Sequence, residues 1–154
     1  MKQRLQFFAK APEIMKAVSA LNKAVDECGL EVSLLHLIKL RASQINGCSF
    51  CVEMHSREAR RDGETETRLY LVAAWKESPL FSERERAAFA WTEAVTLIAE
   101  THAPDDVYNE VRAHFSEAET VNLTMLIATI NSWNRLAISF RAVPPVKVSA
   151  ATAA

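Results

Sequence analysis

Three glycines in 154 residues constrain this chain more than any other feature. That is about 2% of the chain, where average usage is about 7%. Glycine supplies the positive φ that tight β-hairpin turns need, so the scarcity argues against a β-sandwich or barrel. The three positions are themselves informative. Gly29, Gly47 and Gly63 each follow an amphipathic run, where a left-handed residue closes a helix. With 49% hydrophobic and 24% charged residues the composition is that of a globular chain. A chain of this size buries roughly 68–70% of the surface its unfolded state exposes, enough for one domain.

The remaining punctuation is helical. Pro12 and Pro104 sit where a first-turn proline opens a helix. Ser82 with Glu85, and Ser116 with Glu119, fit the S-x-x-E capping box. Ile14, Val18, Leu21, Val25 and Cys28 form one apolar stripe at steps of three and four; Ala88, Trp91, Val95 and Ile98 form another. The expected fold is an all-α, single-domain bundle of about seven helices, over 12–28, 34–46, 49–62, 65–77, 83–102, 105–115 and 117–141. The domain is expected to span 1–141, with its motif region at about 34–98. Residues 142–154, with Pro144-Pro145 and then small residues, read as a flexible C-terminal tail.

Charge and hydropathy narrow the partners. A formal net charge of −1 argues against a nucleic-acid partner. The densest basic cluster (Arg57, Arg60 and Arg61) is interleaved with Glu58 and Asp62 and reads as a solvated helix face. The apolar part of the N-terminus is too short for a signal-peptide core. The charge-free stretch Thr120–Asn134 stops short of the roughly 18 apolar residues that a membrane span needs. The expectation is a cytoplasmic protein without a membrane segment, its cysteines at rest as thiols.

The chemistry concentrates in Gln44-Ile45-Asn46-Gly47-Cys48-Ser49-Phe50-Cys51-Val52-Glu53-Met54-His55. Cys48, Cys51 and His55 lie at offsets of three, four and seven, which fall on one helix face. A C-x-x-C spacing lets two sulfurs close a disulfide. Gly47 ends the preceding helix, so Cys48 meets a fresh helix N-terminus whose N–H groups and dipole favour a thiolate. At a pKa near 8.5 only about 3% of a thiol is ionised at pH 7; at about 6.5 roughly 75% is. Two other readings compete. One is a structural Cys2His zinc site with Cys28 or His36 as fourth ligand, and the other is a pair of inert core thiols. Haem attachment is excluded, because C-x-x-C-H needs a histidine where Val52 stands.

The motif and its approach, Lys39-Leu40-Arg41-Ala42-Ser43-Gln44-Ile45-Asn46-Gly47, continuing through Glu53-Met54-His55 to Gly63, resemble the alkylhydroperoxidase AhpD-like branch of the carboxymuconolactone decarboxylase family. The later Asn131-Ser132-Trp133-Asn134-Arg135 is similar to a segment of related small peroxidase-like proteins. The resemblance implies an all-helical fold assembled as trimers or hexamers. It also implies reduction of hydroperoxides by a dithiol that cycles through a Cys48–Cys51 disulfide, with no other cofactor. By the same resemblance Cys51 attacks the peroxide, Cys48 resolves the sulfenic acid, and an external dithiol (lipoyl-type or thioredoxin-like) regenerates the pair. His55 helps to deprotonate the attacking thiol. The residues alone leave the attacking sulfur open: the helix dipole favours Cys48, and the i,i+4 relation to His55 favours Cys51. The dipole contributes only about 0.3–1 kcal/mol at an exposed end, whereas the imidazole can take the proton itself. Cys51 is therefore the expected nucleophile.

Two positions depart from the resemblance. Where the family usually carries a glutamate, twelve residues before the first cysteine, this chain has His36, which could serve as base, thiolate-stabilising cation or metal ligand. Phe50 stands where some members carry a histidine, and should make the pocket more apolar. Cys28, Trp75 and Trp91 read as core. Trp133 and Arg135 read as core or subunit contacts, and His102 and His114 as C-terminal helix residues favoured by the dipole. A zinc-stabilised or vestigial-dithiol helical oligomer without turnover is the alternative to the peroxidase.

Overall fold

The computed structural model describes residues 2–144, which contain nine α-helices and no strand. They are α1 (Phe7–Lys10), α2 (Pro12–Asp26), α3 (Val32–Asn46), α4 (Ser49–Arg61), α5 (Glu66–Leu71), α6 (Glu83–Thr96), α7 (Ile98–Thr101), α8 (Asp105–His114) and α9 (Glu117–Phe140). The expected all-α bundle is observed. Most of the expected tail, 145–154, lies outside the described residues. No helix is long and apolar enough to cross a membrane among the described residues.

The extra helices have local causes. The expected 65–77 helix is α5 followed by a 3₁₀ segment, Val72–Glu77, with a kink at Ala74 (φ −117°, ψ 28°). The expected 83–102 helix breaks at Leu97 (φ −101°, ψ 33°), which leaves Ile98 outside the core although it continues the α6 stripe. Short α1 precedes the first stripe. Pro12 opens α2 at its first turn, whereas Pro104 is the extended N-cap of α8, one position earlier than expected. Both S-x-x-E sequences form complete capping boxes. The α2 stripe is only partly inward. Met15 and Val25 are buried, but Ile14 and Leu21 face outward from this chain.

Helix α3 is the axis of the domain. Leu37 and Ile38 are fully buried and Leu34, Leu35, Leu40 and Ala42 nearly so, which is the signature of a helix enclosed on all sides. It packs against α4, α6 and α9. Trp75, Phe81 and Phe89 cluster against it, with Phe81 edge-on to Phe89 at 5.1 Å between centroids. Arg41 of α3 is tied to Glu93 of α6 at 2.7 Å, and the same carboxylate oxygen accepts Trp75 Nε1–H.

The α3–α4 corner sets up everything that follows. Gly47 is left-handed (φ 68°, ψ 30°), and the Cys48 N–H reaches back to the Ser43 carbonyl at 3.0 Å. This is the six-to-one bond of a Schellman ending. A Cβ at residue 47 would touch nothing within 4 Å, so the barrier to substitution is backbone strain alone. Gly47→Ala is expected to destabilise the protein by about 1–2 kcal/mol in urea unfolding. Gly47→Asn should recover part of that loss, because asparagine tolerates the left-handed region.

Candidate active site

Because the corner ends α3 at residue 47, Cys48 becomes the N-cap of α4. Its sulfur accepts the Cys51 N–H at 3.4 Å. Both cysteines are free thiols and both are almost wholly buried, at 1% and 2% exposure. Burial would normally hold a thiol neutral. Here Cys48 is instead brought down to about 7. The Cys51 thiol donates to its sulfur and outweighs the desolvation, and the Cys51 N–H, the Asn134 side chain and the Phe50 N–H add to the effect. Cys51 is pushed up by that same bond, by burial and by the neighbouring Cys48 charge. The two thiols therefore titrate as a pair, with Cys48 the lowered member and Cys51 the raised one.

Asn134 belongs to α9 and is fully buried. Its amide N–H donates to Ser43 Oγ at 3.1 Å and its oxygen accepts from Asn46 Nδ2 at 2.8 Å. Asn46 also donates to Asn131, which Arg135 anchors in turn. With the oxygen and one N–H committed in this way, the amide is locked in orientation against both sulfurs. Helices α3, α4 and α9 thus meet at the dithiol.

His55 lies one turn beyond Cys51 on α4 and is buried. Its Nδ1–H donates to Glu58 Oε2 at 3.1 Å, and its Nε2 is buried without a partner. Burial lowers the His55 pKa despite the Glu58 bond, so the ring is neutral. Glu58 is held lower than an ordinary glutamate, chiefly by the His55 bond. An ionised carboxylate that fixes the tautomer of a neutral imidazole leaves Nε2 as a free proton acceptor. Cys51, His55 and Glu58 line one cavity of about 440 Å³, walled by Phe8, Phe50, Met54 and Trp133. Phe8 of α1 stacks on Trp133 at 5.8 Å, while Trp133 Nε1–H donates to Asn22. The cavity also contains Lys39, which is ion-paired with Asp26.

The structure places the expected residues unevenly. Cys48, Cys51 and His55 come together as the spacing implies. His36 stands on α3 with Nε2 at 2.8 Å from Asp62 Oδ2, outside the residues that line the Cys51 cavity. The carboxylate that touches the active imidazole is Glu58, not a group at position 36. Cys28 is partly buried against the main core. Among the described residues no cluster of three or more His, Cys, Asp or Glu side chains is disposed to hold a metal. Glu58 was within reach of sequence reasoning, since it lies at i+3 from His55 on the same helix. Asn134 carried no comparable spacing signal.

A buried dithiol at a helix N-cap, with an oriented imidazole one turn on, defines an AhpD-like helical protein. The model of the carboxymuconolactone decarboxylase family matches residues 12–94, and the chain belongs to that family, in its AhpD-like branch. It is similar to the uncharacterized protein YdfG of Bacillus subtilis (strain 168), at 42% identity over 90% of this chain and 95% of that one. Among solved structures, it resembles a protein of unknown function from Agrobacterium tumefaciens for which an AhpD role in antioxidant defence has been suggested. That likeness has a TM-score of 0.93 and 51% identity over 95% of this chain and all of the other. An alkylhydroperoxidase AhpD core protein from Ralstonia eutropha JMP134, described as peroxidase-related, superposes with a TM-score of 0.79 at 21% identity. It covers 90% of this chain and 74% of its own; at that identity the likeness is one of fold.

The shared proton has a direct test. Ultraviolet thiolate absorbance should show one ionisation near pH 7 in the wild type. That step should vanish in Cys48→Ser, and Cys51, freed from the Cys48 bond and charge, should titrate lower than it does in the wild type. Asn134→Leu, which removes the amide that lowers both thiols, should move the first ionisation upward.

Proposed function

We propose that this protein is a dithiol-dependent hydroperoxide reductase. The observation that carries the proposal is the buried dithiol of Cys48 and Cys51 next to His55, whose Nε2 has no partner, with Cys51 alone of the two sulfurs lining the apolar cavity. A cavity of about 440 Å³ suits a small organic substrate, and the aromatic wall formed by Phe8, Phe50 and Trp133 favours the organic part of a hydroperoxide over water.

The steps follow from the proton positions. The resting pair carries one negative charge, on Cys48, with the Cys51 S–H pointing at it. When a hydroperoxide R–O–OH enters at Cys51, the Cys51 proton passes to His55 Nε2. The Cys51 thiolate attacks the terminal peroxide oxygen and the O–O bond breaks. The alkoxide takes the proton from the imidazolium and leaves as R–OH, with Cys51 as a sulfenic acid. The Cys48 thiolate then attacks the Cys51 sulfur. The S–O bond breaks, and hydroxide leaves and is protonated to water. In sum, the Cys48 thiolate, the Cys51 thiol, one hydroperoxide and one proton from solvent give a Cys48–Cys51 disulfide, an alcohol and water. An external dithiol, of lipoyl or thioredoxin-like type, would restore the thiols. Glu58 acts through His55 as a positioning residue. Outward-facing Ile14, Leu21, Ile98 and Val121 are consistent with the trimeric or hexameric assembly that the resemblance implies.

A stoichiometric hydroperoxide pulse followed by mass spectrometry tests the reading. The wild type should lose two hydrogens' mass on the peptide that carries Cys48 and Cys51. Cys48→Ser should stop at a Cys51 sulfenic acid that a dimedone-type reagent captures, and Cys51→Ser should consume no peroxide. An unchanged wild-type mass would overturn the proposal; a sulfenic acid on Cys48 in Cys51→Ser would reverse the roles of the sulfurs. Glu58→Gln should lower the rate of peroxide reduction about 10- to 100-fold, as expected when a positioned general base loses its orienting partner. Its dependence on pH should shift as well, which a purely structural role would not produce.

A further inference from the structure

The two sulfurs open on different cavities. Cys51 lines the apolar one described above. Cys48 lines a second, of about 330 Å³, whose walls include Arg4, Gly47, Ser49 and Arg141. Phe50, Ala137 and Ala142 line both and form the partition.

The two cavities differ in charge. The first contains Asp26 and Glu58 against Lys39, with His55 neutral, and is net negative. The second contains two guanidinium groups and no acidic residue. Neither arginine forms an ion pair among the described residues, in a protein where most other arginines do. Their placement is built into the fold. The Arg4 N–H bonds the Phe140 carbonyl, and its guanidinium bonds the Ser139 carbonyl at 3.1 Å. This pins the N-terminal strap across the end of α9. Arg141 is the left-handed C-cap of α9 (φ 53°). The first turn of the thirteen-residue helix α4 begins at the same wall, and its N–H groups add to the positive field.

We propose that this second cavity docks the reductant, a thiol whose flanking groups are carboxylates, and that reduction begins at Cys48 while hydroperoxide is handled at Cys51. This rests on the dithiol reading above and assigns the other half of its cycle. The incoming thiolate R–S⁻ attacks Cys48 and forms a Cys48–S–S–R bond. The Cys48–Cys51 bond breaks, and Cys51 leaves as a thiolate that takes its proton through His55. A second thiolate, the other sulfur of a dithiol reductant or a second R–S⁻, attacks the R sulfur of the mixed disulfide, releasing the oxidised reductant and returning Cys48 to a thiolate. Two thiols are oxidised and one protein disulfide is reduced. The carboxylates of the reductant meet Arg4 and Arg141, and the negative charge of the first cavity turns them away from Cys51.

The test uses the full chain with its disulfide made by diamide, so that it holds whatever the natural oxidant. Single-turnover reduction is followed with mercaptosuccinate, 2-mercaptoethanol and cysteamine, and rates are compared per thiolate. Mercaptosuccinate should exceed mercaptoethanol by about tenfold or more, and mercaptoethanol should exceed cysteamine, with the spread shrinking in high salt. In the Arg4→Gln/Arg141→Gln variant the mercaptosuccinate-to-mercaptoethanol ratio should fall toward one. Arg57→Gln removes an exposed arginine remote from the cavity and should keep the wild-type ratio. A flat or reversed charge order, an arginine double variant that keeps the wild-type ratio, or an equal fall in Arg57→Gln would each overturn the proposal. Failure of the hydroperoxide pulse to form the disulfide, with the charge order intact, would count against the proposed oxidant and not against this site.

Discussion

A single left-handed residue organises the chemistry of this protein. Gly47 allows α3 to stop and α4 to begin with one residue between Asn46 and Cys48, so the chain turns without a loop. That turn gives Cys48 two roles at once. Its backbone N–H closes α3, and its sulfur caps the first turn of α4. The conformational cost of a Cβ here, about 1–2 kcal/mol, is modest against a domain stability of about 5–15 kcal/mol. Its geometric effect is large, because both sulfurs and the imidazole take their positions from where α4 starts.

The helix terminus alone does not account for the ionised thiol. Lowering a thiol from about 8.5 to about 7 takes roughly 2 kcal/mol, and a terminal dipole contributes about 0.3–1 kcal/mol. The remainder comes from short-range donors: the Cys51 thiol and N–H, the Phe50 N–H, and the Asn134 amide from a different helix. Burial works against them, yet it also makes them effective, since few waters compete for the sulfur. The site is therefore an electrostatic balance in which each donor offsets part of the desolvation.

Much of this was legible in the chain. Glycine scarcity, capping boxes and three-four stripes carry the helical fold, because they are local signals. Cys48, Cys51 and His55 are legible for the same reason: helical periodicity makes three sequence positions one face. Where the reading missed, the governing interaction was local but soft, or distant. The break at Leu97 has no proline or glycine to announce it. The outward turn of Ile14 and Leu21 depends on which face of α2 meets α9. Asn134 bonds to Ser43 and Asn46 across separations of 91 and 88 residues, which no periodicity encodes. His36 shows the converse. A family position drew attention to it, and its ring bonds Asp62, while Glu58, on the motif helix itself, bonds the His55 ring, and neither contact follows from that position.

That long reach from Asn134 also concerns how the protein comes into being. During synthesis the motif helix is made well before α9, and a chain ending anywhere before residue 134 contains two cysteines without the amide that holds them. In such a chain the thiols lack one of the donors that make Cys48 acidic, and the aromatic wall at Trp133 is missing too. The setting of the dithiol is thus completed last, by the helix that also completes the core. Until α9 is made, the nascent chain carries the two cysteines without the surroundings they have in the folded domain.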